Sequence, residues 1–131
     1  MDASQARQKI RQIETERARH EKAILAFRGP LVAGSLVSRT TRCKRPGCRC
    51  EKGQPHGPFL YLSRNIDGRT RWLYIGKATQ GRLAQAARRY KAFNEHVRAL
   101  RQLAREADEC YVALSQALCA PAESLKKKDE Q

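Results

Sequence analysis

The chain has 131 residues, with 27 Lys and Arg against 13 Asp and Glu and a formal net charge of +14. That length admits one domain, or one small module carried on helices, and 40% apolar and 6% aromatic residues cannot fill a large two-layer enzyme core. No apolar run reaches the roughly 18 residues that a membrane span needs, and so positive a field attracts polyanions, nucleic acid ahead of an anionic membrane surface.

At the amino terminus, Met1-Asp2-Ala3-Ser4-Gln5 lacks the basic-then-apolar order of a secretory signal. The cytoplasm is the expected compartment, and the nucleoid if DNA is bound. The five cysteines are then expected to be reduced or metal-bound rather than paired. Residues 1–28 read as a helix. Ala3, Ala6, Ile10, Ile13, Arg17, His20, Ile24 and Phe27 fall at spacings of three and four, and Gly29-Pro30 stops the pattern.

Residues 29–78 read differently. All eight glycines lie between Gly29 and Gly81, and four of the five prolines lie between Pro30 and Pro58, so turns and short strands replace the helix. Strands are expected over 35–40, 59–64 and 71–75, the last two joined through Asp67-Gly68. Between the first and second strands lies C-x4-C-x-C-x5-H: Cys43, Cys48, Cys50 and His56, three thiols and an imidazole within fourteen residues. Zinc takes four such donors in a tetrahedron. Pro46-Gly47, Gly53 and Pro55 supply the turns that let clustered donors converge. The expectation is a structural zinc ion. Four filled positions leave none for water, and no C-x-x-C pair supports redox chemistry. Cys110 and Cys119 read as small helix residues.

Charge concentrates on this module. Residues 39–77 hold ten Lys and Arg against Glu51 and Asp67, a net +8, while the segments on either side carry +3 each. Arg39, Arg42, Lys44, Arg45, Arg49, Arg64, Arg69, Arg71, Trp72 and Lys77 are the candidate nucleic-acid contacts, interleaved with Phe59, Tyr61 and Tyr74. The aromatics are open to two readings, cover for a tiny core or stacking surfaces for bases.

Residues 79–120 form the second helix. Leu83, Ala86, Tyr90, Phe93, Val97, Leu100, Ala104, Ala107, Tyr111, Leu114 and Leu118 repeat in steps of three and four, a heptad pattern that extends roughly 58 Å. Two helices flanking one module predict an antiparallel, coiled-coil-like arm. The longer helix leaves seam residues over, so Tyr90, Phe93, Val97, Leu100, Tyr111, Leu114 and Leu118 are candidates for a homodimer or a helical protein partner. The polar tail, 121–131, is expected to be disordered. The fold class is α+β, a small zinc-stabilised antiparallel β module between two helices.

Gly34-Ser35-Leu36, Arg39, the cysteine triplet, His56-Gly57-Pro58-Phe59, Tyr61-Leu62-Ser63-Arg64, Gly68-Arg69 and Tyr74 together resemble a family of small basic bacterial proteins of unknown function. That family has a single Cys-Cys-Cys-His cluster, a β-hairpin and a trailing helix. The resemblance covers about residues 34–100, with both helical extensions less typical. Its members are often encoded near transposases or recombinases, which implies an accessory DNA-binding role in a mobile element.

The expected function is zinc-dependent nucleic-acid binding, DNA first, in an accessory or regulatory role. The alternative is an adaptor whose exposed seam binds a partner such as a recombinase. An enzyme is not expected, because no paired carboxylates, nucleophile–base pair or vacant metal position can be assembled. His20 and His96 stand alone on their helices and read as seam or surface residues.

Overall fold

The computed structural model describes residues 1–76 and 81–129. It is α+β, as its patterning predicts: helix α1 (Ala3–Ala26), strands β1 (Ser35–Thr41), β2 (His56–Ile66) and β3 (Arg69–Gly76), helix α2 (Arg82–Leu118) and helix α3 (Ala122–Asp129). Two units form, Phe27–Glu95 in one and Met1–Ala26 with His96–Gln131 in the other, and α2 contributes to both. No helix among the described residues is long and apolar enough to cross a membrane.

The helical unit begins with a reciprocal cap. Asp2 Oδ1 accepts from the Gln5 backbone N–H at 2.8 Å, and Gln5 Oε1 accepts from the Asp2 N–H at 2.9 Å. Two amides that the first turn would otherwise leave unpaired are thereby satisfied. The α1 stripe follows its predicted positions: Ala6 and Ile13 are buried, and Ile10 packs beside them. Arg17, a polar member of the stripe, stays in solvent and pairs with Glu21 at 3.4 Å. Ile13 meets Leu103, Ala107 and Cys110 in one cluster, and His20 meets His96, so α1 and the later part of α2 run antiparallel.

The buried line of α2 corrects the heptad reading. Leu103 and Cys110 are buried on either side of Ala107, whereas Ala104, on the heptad line, is exposed; Tyr111 is exposed too, as expected of a seam residue left over for a partner. The two lines share Leu100, Ala107 and Leu114 and differ by one position between them. At the first of the two differing positions, turning the helix toward Leu103 covers a large side chain rather than the Ala104 methyl group, and burial of a leucine is worth roughly 1.5–3 kcal/mol. Tyr111, Val112 and Leu118 remain half-exposed or more, while Leu114 is half-buried. The tail also differs from expectation. Pro121 starts a short helix there, its carbonyl accepting from the Ser124 N–H at 3.1 Å and the Ser124 hydroxyl at 2.7 Å, with Glu123 in the first turn.

In the other unit the three strands form one antiparallel sheet in the order β1-β2-β3. The β2–β3 hairpin closes on a two-residue turn, with Ile66 opposite Arg69 and both Asp67 (φ 52°) and Gly68 (φ 80°) left-handed. Only an Asp-Gly-like pair adopts that turn readily, and its twist matches that of the strands. Both strands are longer than their apolar runs suggested, because so tight a turn lets pairing continue to its edge. Gly34 packs against β2, where a Cβ would come within 2.8 Å of Leu62 Cδ1 and of the Ser63 carbonyl. Leu62 is 1% exposed. Ala84, Ala86 and Ala87 at the start of α2 are buried, the Val32 N–H donates to the Ala86 carbonyl at 3.2 Å, and Arg89 Nε donates to the Pro30 carbonyl at 3.1 Å. Small residues thus let the chain between α1 and β1 lie directly on the helix. Phe93, one of the seam candidates, meets Phe27 edge-on at 5.4 Å, and Tyr90 is half-buried.

Candidate metal centre and basic sheet face

The knuckle between β1 and β2 is clamped at its base, where Thr41 pairs with His56. Cys43 lies two residues beyond the end of β1, and His56 is the first residue of β2. Between them, the Cys48 N–H closes a turn onto the Arg45 carbonyl at 3.4 Å, and a single 3-10 turn spans Arg49–Lys52. The Gly53 N–H then bonds the Cys50 carbonyl at 3.2 Å, and the Gln54 N–H bonds the Arg49 carbonyl at 3.2 Å. These bonds fold fourteen residues back on themselves, so all four predicted ligand atoms converge.

The four donor atoms are close together. Cys43 Sγ and Cys48 Sγ stand 3.7 and 3.6 Å from Cys50 Sγ, and His56 Nε2 stands 3.2 Å from Cys48 Sγ and 3.3 Å from Cys43 Sγ. All four atoms lie within 4.8 Å of one another. A tetrahedral ion with arms of about 2.3 Å to sulfur and about 2.0 Å to nitrogen has edges of about 3.5–3.8 Å. The separations far exceed a disulfide bond of about 2.05 Å, and all five cysteines are free thiols. The group could therefore hold a metal ion through three thiolates and one imidazole.

Without an ion, the thiols differ in acidity. The Cys50 backbone N–H is the main influence on Cys48. With hydrogen bonds from Cys43, Cys50 and His56, and against burial, it pulls the Cys48 thiol down from 9.0 to about 6. The Cys43 thiol is also pulled down by the backbone at Arg45. Hydrogen bonding to Cys48, burial, and the Cys50 contact outweigh that effect and leave it raised. Cys48 is thus more readily a thiolate than Cys43.

Arg42, Lys44, Arg45 and Arg49 are exposed on the knuckle, and the Glu51 carboxylate there accepts from the Gly47 N–H at 3.3 Å. The remaining candidates divide between the two sides of the sheet. Alternation and register place Arg39, Phe59, Tyr61, Trp72 and Tyr74 on one face, and Arg64, Arg69 and Arg71 on the other with Leu62. Arg64 and Arg71 are directly opposite each other, and the buried Arg64 Nε has no hydrogen-bond partner among the described residues. Lys77 lies outside the described residues.

The first face is aromatic and open. Tyr61 contacts Trp72 at 5.9 Å and Tyr74 at 5.4 Å between ring centroids, Phe59 contacts Tyr74 at 6.2 Å, and all three pairs are tilted or edge-on. The Arg39 guanidinium lies 4.7 Å from the Trp72 ring centroid. Trp72 is 44% exposed and Tyr74 57%, so neither is core. Their exposure excludes the core reading for these two rings.

Sequence reasoning missed one pairing. His20 and His96 meet Nδ1 to Nδ1 at 2.9 Å, half-buried, although 76 positions separate them. Their sequence signal is that His20 is a polar member of the α1 stripe and His96 adjoins Val97 of the α2 stripe.

Compared with known protein families, residues 4–85 match the model of DUF6788, a domain of unknown function. The chain belongs to the DUF6788 family. No curated protein and no solved structure matches it. The DUF6788 match begins in α1, so this helix is part of the family's domain rather than the less typical extension that the sequence resemblance implied. It runs through the metal knuckle and the sheet and ends four residues into α2.

Proposed function

We propose that this DUF6788 protein is a zinc-stabilised nucleic-acid-binding module, with DNA as its target and an accessory or regulatory role. The observation that carries the reading is the placement of Arg42, Lys44, Arg45 and Arg49, all exposed, on the loop that the four ligands fold. A metal ion that orders this loop also orders the charges that would neutralise phosphates. Zinc is the ion of choice, since three thiolates and an imidazole this close together suit it and fill every position. The bound ion would supply cohesion to a sheet that has few buried side chains of its own, and no catalytic step is assigned to it. The cytoplasm, with nucleoid association, is the compartment this reading implies. The resemblance to proteins encoded beside recombinases adds a mobile element as the setting.

Elemental analysis and nucleic-acid binding across a salt series test the reading together. One zinc per chain, with binding that weakens steeply as salt rises, is the expected result. A metal-free, folded module, or binding that a chelator leaves untouched, would count against it.

A second reading has an observation of its own. Tyr111, Val112 and Leu118 are exposed near the end of α2, an apolar face that a second copy or a helical partner would cover. An adaptor of this kind would self-associate or capture a partner while binding nucleic acid only weakly.

A further inference from the structure

The aromatic face of the sheet makes a narrower commitment than phosphate attraction does. We infer that this face binds single-stranded nucleic acid by stacking unpaired bases on Trp72 and Tyr74, while phosphates lie on Arg39 and the basic knuckle. The inference rests on the nucleic-acid reading above and specifies its substrate class.

Several observations converge on unpaired bases. Large aromatic rings at 44% and 57% exposure carry an unfavourable apolar contact with water. Tyr61 meets Trp72 at 77° and Tyr74 at 56°, so neither pair is stacked face to face. Phe59, Tyr61, Tyr74 and Thr41 line a shallow groove of about 300 Å³. Such a groove admits a planar ring. It cannot reach a base face inside a duplex, where each base is covered by its neighbours.

Charge selects the ligand further. The module's two acidic residues lie away from the face: Glu51 is bonded to Gly47 in the knuckle, and Asp67 forms the hairpin turn. Arg39 lies over Trp72 on the face itself. Thr41, at the knuckle end of β1, borders the groove and is two residues from Cys43. The groove therefore lies at the end of the sheet where the knuckle carrying Arg42, Lys44, Arg45 and Arg49 begins. A strand laid along it would alternate bases on rings with phosphates on guanidinium and ammonium groups, the arrangement that single-strand binders use. A duplex would engage the same cations with its backbone and leave the rings in water.

Trp72 is the sole tryptophan, so its fluorescence reports stacking directly. The full-length, zinc-loaded protein is titrated with oligodeoxyuridylate, with oligouridylate of the same length, and with a duplex of matched length. Single strands are expected to quench the indole emission by about half or more and to bind more tightly than the duplex. The tighter of the two single strands assigns the sugar. Tyr74→Ala is expected to weaken single-strand binding about 5- to 100-fold, the range that loss of one stacked base spans, and to leave duplex binding unchanged. Tyr74→Phe should restore it, and unchanged zinc content and circular dichroism verify the fold of each variant.

Duplex binding as tight as single-strand binding, with no change in emission, would overturn the stacking inference and leave the nucleic-acid reading intact. A folded Tyr74→Ala protein that binds single strands normally would also overturn it. No binding to any of the three at low salt would overturn both.

Discussion

Cys48 differs from Cys43 before any metal arrives, because the Cys50 amide and three side-chain hydrogen bonds hold its thiol at about 6. In the folded protein immediately after a chelator strips zinc, before the sheet unfolds, iodoacetamide should therefore modify Cys48 faster than Cys43, whose thiol is raised. Site-resolved mass spectrometry should show that preference fade as the pH falls through about 6. The linkage has the same sign. A thiol whose folded value lies below its unfolded 9.0 contributes stability above 9.0 and loses it as the pH falls through about 6. Replacing the same residue tests its role as a ligand. Cys48→Ser should lose most bound zinc by elemental analysis and unfold the sheet, since ligand loss removes folding free energy at such sites. The helical dichroism of α1 and α2 should largely survive. All four candidate ligands were legible in the sequence because they lie within fourteen residues, where turn chemistry alone governs convergence. The His20–His96 contact was not, because only the antiparallel packing of two distant helices creates it.

Among the elements, α2 shows how far periodicity can be read. The steps of three and four identify a helix and its apolar side, but adjacent stripes share Leu100, Ala107 and Leu114 and differ by a small rotation. The structure buries Leu103 and Cys110, with Ala107 between them. Leu103→Ala should therefore cost about 2–5 kcal/mol in urea denaturation. Ala104→Gln and Tyr111→Gln, on the exposed line, should each stay within about 0.5 kcal/mol. Equal losses at positions 103 and 104 would show that the helix packs along the heptad line instead. The strands were clear for a different reason. Alternation is unambiguous when one side of a sheet carries Leu62 and the Asp-Gly turn sets the register. In the sheet, Gly34→Ala should destabilise the module by roughly 1–3 kcal/mol in thermal melts, because the added methyl meets Leu62 and a backbone carbonyl that cannot give way.

For the molecule as a whole, the basic residues are more numerous than one ligand can use. Arg64, Arg69 and Arg71 lie on the opposite side of the sheet from Arg39 and Trp72. A nucleic acid held at the knuckle therefore meets only part of the charge. About four to six phosphate contacts on B-DNA predict a slope of log K against log salt of roughly −4 to −5. Arg45→Ala with Arg49→Ala should make that slope shallower by about one to two. Arg64→Ala, on the other face, should leave it unchanged. Fluorescence anisotropy at several salt concentrations measures both. The adaptor reading instead predicts a shallow, chelator-insensitive dependence, with self-association seen by sedimentation and reduced by Leu118→Glu.

Composition, spacing and turn residues by themselves determined the α+β class, the two helices, the hairpin, the four candidate metal-binding residues and the concentration of positive charge on the module. Each depends on residues near one another in the chain, where a period, a glycine or a cluster of thiols carries its own physical consequence. Only the tertiary structure decided that Leu103 and not Ala104 is buried, that His20 meets His96, and that Trp72 and Tyr74 are exposed. It also divided the arginines between two faces. Those outcomes turn on which surfaces pack against which. A side chain's burial depends on partners tens of residues away, and an aromatic ring on a strand fits a core and an open face equally well until its neighbours are in place.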